Sequence, residues 1–340
     1  MNGWKTNLKA DPTEWLLEEE NPSVRYFALK DILDKPEEDG AVQAAKSGIM
    51  QKGMVPQILE MQRDEAYIKK CPAFYTDKYR GLVWTLIVLA ELGATADAQI
   101  REQCEYILEN AQAKSDGGFS MHASAKEGGG RQTEVVPSLT GNMVWSLTRL
   151  GYEDDPRVQK GILWLTEYMH LNDGTLEDPQ VPPYDHKRFE PCWGAHTCHM
   201  GVVKALKGLS AVPPEKRTDA VRSTIQKCAE FMLIHHVYKR SHDLNRTSKP
   251  GWLKFGFPLM YQTDALEILD ILLGLGYRDS RMDDAINIVL EKQNENGRWM
   301  AENTYNSDRL LIPFEQAGGE SKWITLRAMR VLKRYNPGKA

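Results

Sequence analysis

Residues 184–199 hold the densest run of chemically capable side chains in this sequence, including Tyr184, Asp185, Cys192, Trp193, His196, Cys198 and His199. His196 and His199 stand three apart, so a helix that has begun by then sets both on one face. Imidazole is the side chain suited to moving protons near neutral pH. Imidazole with thiolate is also a donor set for tetrahedral zinc, which makes Cys192, Cys198 and His199 candidate zinc ligands. The competing account is a pair of packed thiols beside a hydrogen-bonded histidine. A second group follows at 238–245, with Arg240 and His242, and leads through Trp252 to Tyr261 and Asp264. It sits in a polar insertion near 239–258, and long polar insertions often form lids or binding loops. The plain alternative is a solvated loop anchored by its aromatics. The acid–base candidates are therefore His196, His199, His242 and Asp264. Tyr184, Asp185, Trp193, Arg240, Tyr261 and Trp323 are expected to position substrate, and all these side chains are expected to face one cavity.

Side chains drawn from such distant segments need a frame, and the sequence carries one as a repeat. Leu-x-x-Leu-Gly endings at Gly93 and Gly151 lie 58 residues apart, and another closes at Gly276. Turns at Asp116-Gly117-Gly118-Phe119 and Asp173-Gly174-Thr175-Leu176 are 57 residues apart, and Asn296-Gly297-Arg298-Trp299 is a further copy. Each unit reads as a helix, a Gly stop, and a second helix opened by Asp. Helices near 22–34, 78–92, 138–150, 194–209, 261–275 and 320–335 are apolar enough to form an inner ring. Those at 158–170 and 282–293 alternate apolar and charged residues, as an outer ring requires. The expectation is an all-α chain, one domain over 1–340, built as an α/α toroid of about six hairpins around a central cavity. An open solenoid of the same hairpins is the alternative.

The Asp-Gly-Gly-Phe turn and the run Gln293-x-x-Asn296-Gly297-x-Trp299 resemble degenerate copies of the Gln-and-Trp repeat of squalene cyclases. Over nearly its full length the chain resembles the bacterial prenyltransferase/squalene-oxidase-repeat proteins of the terpenoid cyclase and protein prenyltransferase superfamily. That resemblance implies a toroid and a cyclase- or transferase-type reaction on an isoprenoid-like molecule. Trp84, Trp145, Trp193, Phe255, Phe257 and Trp323 would then offer ring faces to carbocations. It also implies zinc at the cavity mouth, where Cys198-His199-Met200-Gly201 approximates the Cys-His pair of lanthionine cyclases. The sequence departs from the pattern in lacking both the Asp-x-Asp-Asp acid motif and an Asp-Asp-x-x-Asp diphosphate motif.

Composition removes other classes. A net charge of −4 over 340 residues, with basic and acidic residues intermixed, offers no phosphate-binding stripe, so no nucleic-acid partner is expected. No apolar run is long enough to span a membrane, and the first residues do not read as a secretory signal. A cytoplasmic protein with five reduced cysteines is expected. Besides the cyclase- or transferase-type enzyme, two readings stand. One is a carbohydrate or uronate lyase or hydrolase whose sugar stacks on Trp193 or Trp252. The other is a non-catalytic binding or scaffold protein. The expected partner is a small molecule or oligosaccharide in the central cavity.

Overall fold

Helix starts and stops follow local chemistry. Asn21, Asp97, Asp155, Thr218, Asp264 and Ser321 each turn a side-chain oxygen onto a backbone N–H in the first turn of the following helix. Those donors have no intrahelical partner, which is why such residues cap. Gly93, Gly151 and Gly276 take left-handed φ of 75°, 88° and 90° beyond the helices they end. A computed structural model of the chain describes residues 3–184, 187, 189–304 and 309–336. In it, α1 (Pro22–Phe27, prolonged to residue 32 by a wider turn) pairs with α2 (Gly40–Ile49), and α3 (Met54–Met61) follows as an addition. Then α4 (Leu82–Glu91) pairs with α5 (Ala98–Asn110), and α6 (Pro137–Leu147) with α7 (Pro156–Tyr168). Next, α8 (His199–Ser210) pairs with α9 (Asp219–Ile234), and α10 (Ala265–Gly274) with α11 (Asp283–Glu291). The last inner helix is α12 (Lys322–Tyr335).

The inner helices α1, α4, α6, α8, α10 and α12 form a closed ring, so the fold is the all-α toroid. Each neighbour packs on the next from α4 round to α1, and Phe27 of α1 meets Gly93 just past α4. The inner position explains why every residue from Leu82 to Ala90 is buried. The tightest crossing is α6 on α8, where a Cβ on Gly141 would lie 2.1 Å from the Lys204 carbonyl oxygen; only glycine allows backbones so close. The beginning of the chain covers the last inner helix and ties the ring shut: the Lys9 backbone N–H donates to Gln293 Oε1, and its Nζ to the Gln293 carbonyl, both at 2.6 Å. One cavity of about 380 Å³ lies where the inner helices finish, lined from all six of them. Elsewhere, rings pack on one another, with Tyr79 stacked on Tyr261 and Phe257 on Trp323.

Strands are short, as the absence of period-2 alternation implies. β1 (Ala123–Ser124) pairs with β2 (Gly129–Gly130). The 239–258 insertion folds as a hairpin of β3 (Lys239–Arg240) and β4 (Asp243–Thr247), followed by a 3-10 turn at Pro250–Leu253. All five cysteines are free. Among the described residues no helix is long and apolar enough to cross a membrane.

Candidate functional site

The central cavity is ionic. Glu267 of α10 accepts both contacts of Lys204 (2.7 and 2.8 Å) and one from Lys207 (3.1 Å), both on α8. Glu91 pairs with Lys207 and Arg327. Asp270 takes Arg330 at 2.9 Å and Arg334 at 2.8 Å, and Arg330 reaches Asp31 at 2.7 Å. Burial pushes the Glu267 carboxyl up, but Lys204, Lys207 and Arg327 together outweigh it and hold it at about 2. Burial drives Lys204 down to about 8 against the pull of Glu267. Glu91, Glu267 and Asp270 each bridge two or more cations, so the network clamps five inner helices together. Such a lining is the reverse of the dry aromatic pocket that a carbocation reaction needs.

A second cleft, of about 560 Å³, opens where α8 begins, beside the end of α9 and under the β3–β4 hairpin. Its foundation is the turn at 172–176. The Asn172 side chain accepts from the backbone of Thr175 and Leu176, and Thr197 N–H donates to the Asn172 carbonyl at 2.8 Å. Gly174 N–H donates to the Ala195 carbonyl at 2.9 Å, pairing Asp173 antiparallel with His196. Gly174 has a φ of 80°, and a Cβ on it would lie 2.7 Å from His196 Cε1. Glycine there supplies the turn and admits the imidazole at once.

Asp173 is the centre of the cleft. Its carboxylate accepts from Ser241 Oγ at 2.5 Å. Three imidazole nitrogens surround it: His235 Nε2 at 3.5 Å, His242 Nε2 at 3.5 Å and His196 Nδ1 at 3.9 Å. Burial raises the Asp173 carboxyl, and the Ser241 hydrogen bond and the imidazoles more than reverse this, so it is held below the usual carboxylate range. His199 lies against His235, with ring centroids 4.1 Å apart. Burial, then His235, pushes it down to about 3, so it is a neutral imidazole at physiological pH. Arg240 and Lys249 stand on the rim, exposed and without an ion-pair partner among the described residues.

Of the side chains expected to share one cavity, His196, His199, His242 and Arg240 do so here. The others lie elsewhere. Tyr184 is stacked on Trp193 at 4.6 Å, donates to Asp116 Oδ2 and accepts from Trp164 Nε1, both at 2.6 Å; it is part of a buried aromatic box. Trp193 and Trp252 are buried, so neither presents a face to a sugar. Tyr261 packs with Tyr79 under the Lys78 ammonium, and Trp323 lines the central cavity. Asp264 is buried; it accepts from Glu267 N–H at 2.8 Å and Gly256 N–H at 3.1 Å, and burial lifts it to about 6. Asp185 lies outside the described residues. The expected zinc set does not form: Cys192, Cys198 and His199 do not gather as ligands, and burial pushes the Cys192 thiol up to about 12. The three-donor group present among the described residues is Asp173, His196 and His242.

Asp173 and His235 are absent from the sequence reading of the site. Asp173 reads as the ordinary acid of a repeated turn, and His235 as a residue closing an outer helix. Only the fold joins them to the hairpin, 68 residues from Asp173 to Ser241.

No protein-family model matches the chain, and no curated protein does. Solved structures that match include a family 76 glycoside hydrolase from a bovine Bacteroides thetaiotaomicron strain, at TM-score 0.44 and 12% identity, over 93% of this chain and 67% of that one. Another is a family 105 glycoside hydrolase of C. acetobutylicum ATCC 824, at TM-score 0.43 and 11% identity, over 95% of each chain. Both are glycoside hydrolases, not terpenoid cyclases or prenyltransferases. The resemblance to the prenyltransferase/squalene-oxidase-repeat proteins therefore does not stand; what weighs against the isoprenoid reaction is the ionic lining of the central cavity. Likenesses this distant say nothing about the reaction of this chain.

Proposed function

We propose that the protein is an enzyme that acts on an acidic oligosaccharide in the Asp173 cleft, by elimination across a uronate unit. The observation that carries this reading is an open polar cleft with imidazoles gathered on one carboxylate and, on its rim, two cations without an ion-pair partner among the described residues. Arg240 and Lys249 would take the uronate carboxylate and so stabilise the charge that develops when the neighbouring C–H is broken. His196 and His242, both solvent-exposed, would exchange the protons: one imidazole accepts the proton from C5, and the glycosidic oxygen leaves C4 with a proton from another donor. Asp173 holds those rings in place. With Trp193 and Trp252 buried, recognition rests on charge rather than stacking. Hydrolysis would need two carboxylates set across the scissile bond; Glu190 and Asp243 also line the cleft, but neither joins the imidazole group on Asp173.

The test is a comparison of uronate-containing and neutral oligosaccharides, followed by the ultraviolet absorbance of an unsaturated uronate product and by reducing-end release. Elimination gives both signals, and hydrolysis the second alone. Arg240→Ala is expected to raise KM for acidic substrates, and His242→Ala to lower kcat. Turnover confined to neutral sugars, or unchanged by either substitution, would refute the assignment.

A further inference from the structure

The Asp173 carboxylate is crowded by three imidazole nitrogens. His235 is buried, and its Nδ1 lies 2.7 Å from the Phe231 carbonyl oxygen. A carbonyl only accepts, so Nδ1 carries hydrogen. The other ring nitrogen, Nε2, lies 3.5 Å from Asp173 Oδ1. Next to that contact, one ligand atom each from Asp173, His196 and His242 lie within 4.8 Å of one another.

We propose that Asp173, His196 and His242 bind a divalent transition-metal ion, zinc being the class that suits two imidazoles and a carboxylate. In a tetrahedral site with metal–ligand bonds of about 2.0–2.1 Å, ligand atoms stand about 3.3 Å apart. His242 Nε2 lies 3.5 Å from Asp173 Oδ2 and His196 Nδ1 3.9 Å from Oδ1, so the carboxylate spans the two rings; one ligand atom from each residue, all within 4.8 Å of one another, must draw in by at most about 1.5 Å. Two of the three ligands are already set by backbone, through the pairing of Asp173 with His196. His242 Nε2 also lies 3.0 Å from the Asp173 carbonyl oxygen. The ion replaces that contact, and the ring, 69% exposed, is free to turn. Ser241 donates to Asp173 Oδ2 and orients the carboxylate, the second-layer support that metal ligands ordinarily have. The fourth position faces the cleft, open to water or to a substrate oxygen. His235 stands behind as the buried base that shares Asp173.

The site differs in its ligands from the thiol set expected from sequence, although Cys198 and His199 line the same cleft, and it does not depend on the carbohydrate reading. The two divide the imidazoles differently: metal-free, His196 and His242 move protons; metal-bound, they are ligands, and water on the ion takes that task. Binding is therefore measured without substrate. Metal-stripped full-length protein is titrated with Zn²⁺ by calorimetry, and with Co²⁺ by visible absorption, which reports tetrahedral nitrogen–oxygen coordination. About one equivalent is expected. His196→Ala and His242→Ala, at exposed positions that leave the fold intact in thermal melts, should each weaken binding by at least about tenfold. Asp173→Asn should do the same, and Cys198→Ser should leave affinity unchanged. No binding, or binding unaffected in the His196→Ala/His242→Ala double variant, overturns the proposal. Zinc binding without cleavage of acidic oligosaccharides keeps the metal site and removes the proposed reaction. Cleavage that persists in metal-stripped protein keeps the proposed reaction and assigns its proton transfers to the metal-free imidazoles.

Discussion

Glu267→Gln is the sharpest probe of what holds the ring together. The substitution keeps the shape and removes the one charge that meets Lys204, whose side chain has no exposure to solvent. At 2.7 Å and an effective dielectric of about 20, that attraction is on the order of 6 kcal/mol. The measurable loss is smaller, because Lys204 can shed its proton. With Glu267 gone, its pKa, already about 8, falls further and the amine becomes neutral at pH 7. Deprotonation from a model value of 10.5 sets a ceiling of about 5 kcal/mol at pH 7. A loss of about 3–5 kcal/mol is expected, as for other broken buried pairs. The pH dependence carries a signature. In the native protein the folded pKa of Lys204 is depressed, so stability from this group rises with pH only between about 8 and 10.5. In the variant that window extends below 7, so raising the pH from 7 to 8 should recover about 1.4 kcal/mol that the native protein does not gain. On the acid side, Glu267 is depressed from 4.5 to about 2. Its contribution, on the order of 3 kcal/mol, is present above 4.5 and lost as pH falls toward 2; the variant lacks this loss. Urea unfolding of both proteins at pH 7, 8 and 4 reads all three effects. A cost below about 1 kcal/mol at pH 7, or identical slopes from pH 7 to 8, would refute the clamp.

Two further substitutions separate the cleft from its frame. Gly174→Ala puts a Cβ 2.7 Å from His196 Cε1 at a φ of 80°; about 1–2 kcal/mol of strain is expected, together with lost turnover, read by thermal melts and kinetics. A fully active variant would show that this turn does not place His196. Asp264→Asn keeps an acceptor for Glu267 N–H and loses the one for Gly256 N–H, so it should cost about 1 kcal/mol with turnover unchanged. A stable but inactive variant would return Asp264 to the chemistry.

The toroid was legible because its signals are local and repeated. Helix-stopping glycines and capping aspartates act within a few residues, so Gly93, Gly151, Asp97 and Asp155 can be read without knowing the fold. The aromatic candidates failed for a related reason: Tyr184, Trp193 and Trp252 have the same composition cue whether they face a ligand or each other, and burial decides. The ionic cavity was invisible because Lys204, Lys207 and Glu267 look like ordinary surface residues of helices. Only ring closure turns those faces inward. His196, His199, His242 and Arg240 were found because they cluster in sequence near loop-to-helix junctions. The residue that unites them, Asp173, lies in a neighbouring repeat and carries no local mark.

That division explains how the molecule can hold reactive groups without loosening its core. The clamp joins five of the inner helices, and its ions come from α4, α8, α10, α12 and the end of α1. The cleft instead draws on a turn between two repeats and on the β3–β4 hairpin. The insertion supplies Arg240, Ser241, His242 and Lys249 to the cleft and none of the central ions. Backbone pairing at Asp173 and His196 fixes one wall, while the hairpin brings the other from a segment that the ring does not need for closure. A rigid wall and an added wall are what a site requires when its donors must be held to a few tenths of an ångström but still admit a ligand. The seam between the repeat and its insertion is thus where this sequence departs from a plain ring, and it is where the imidazoles gather on Asp173.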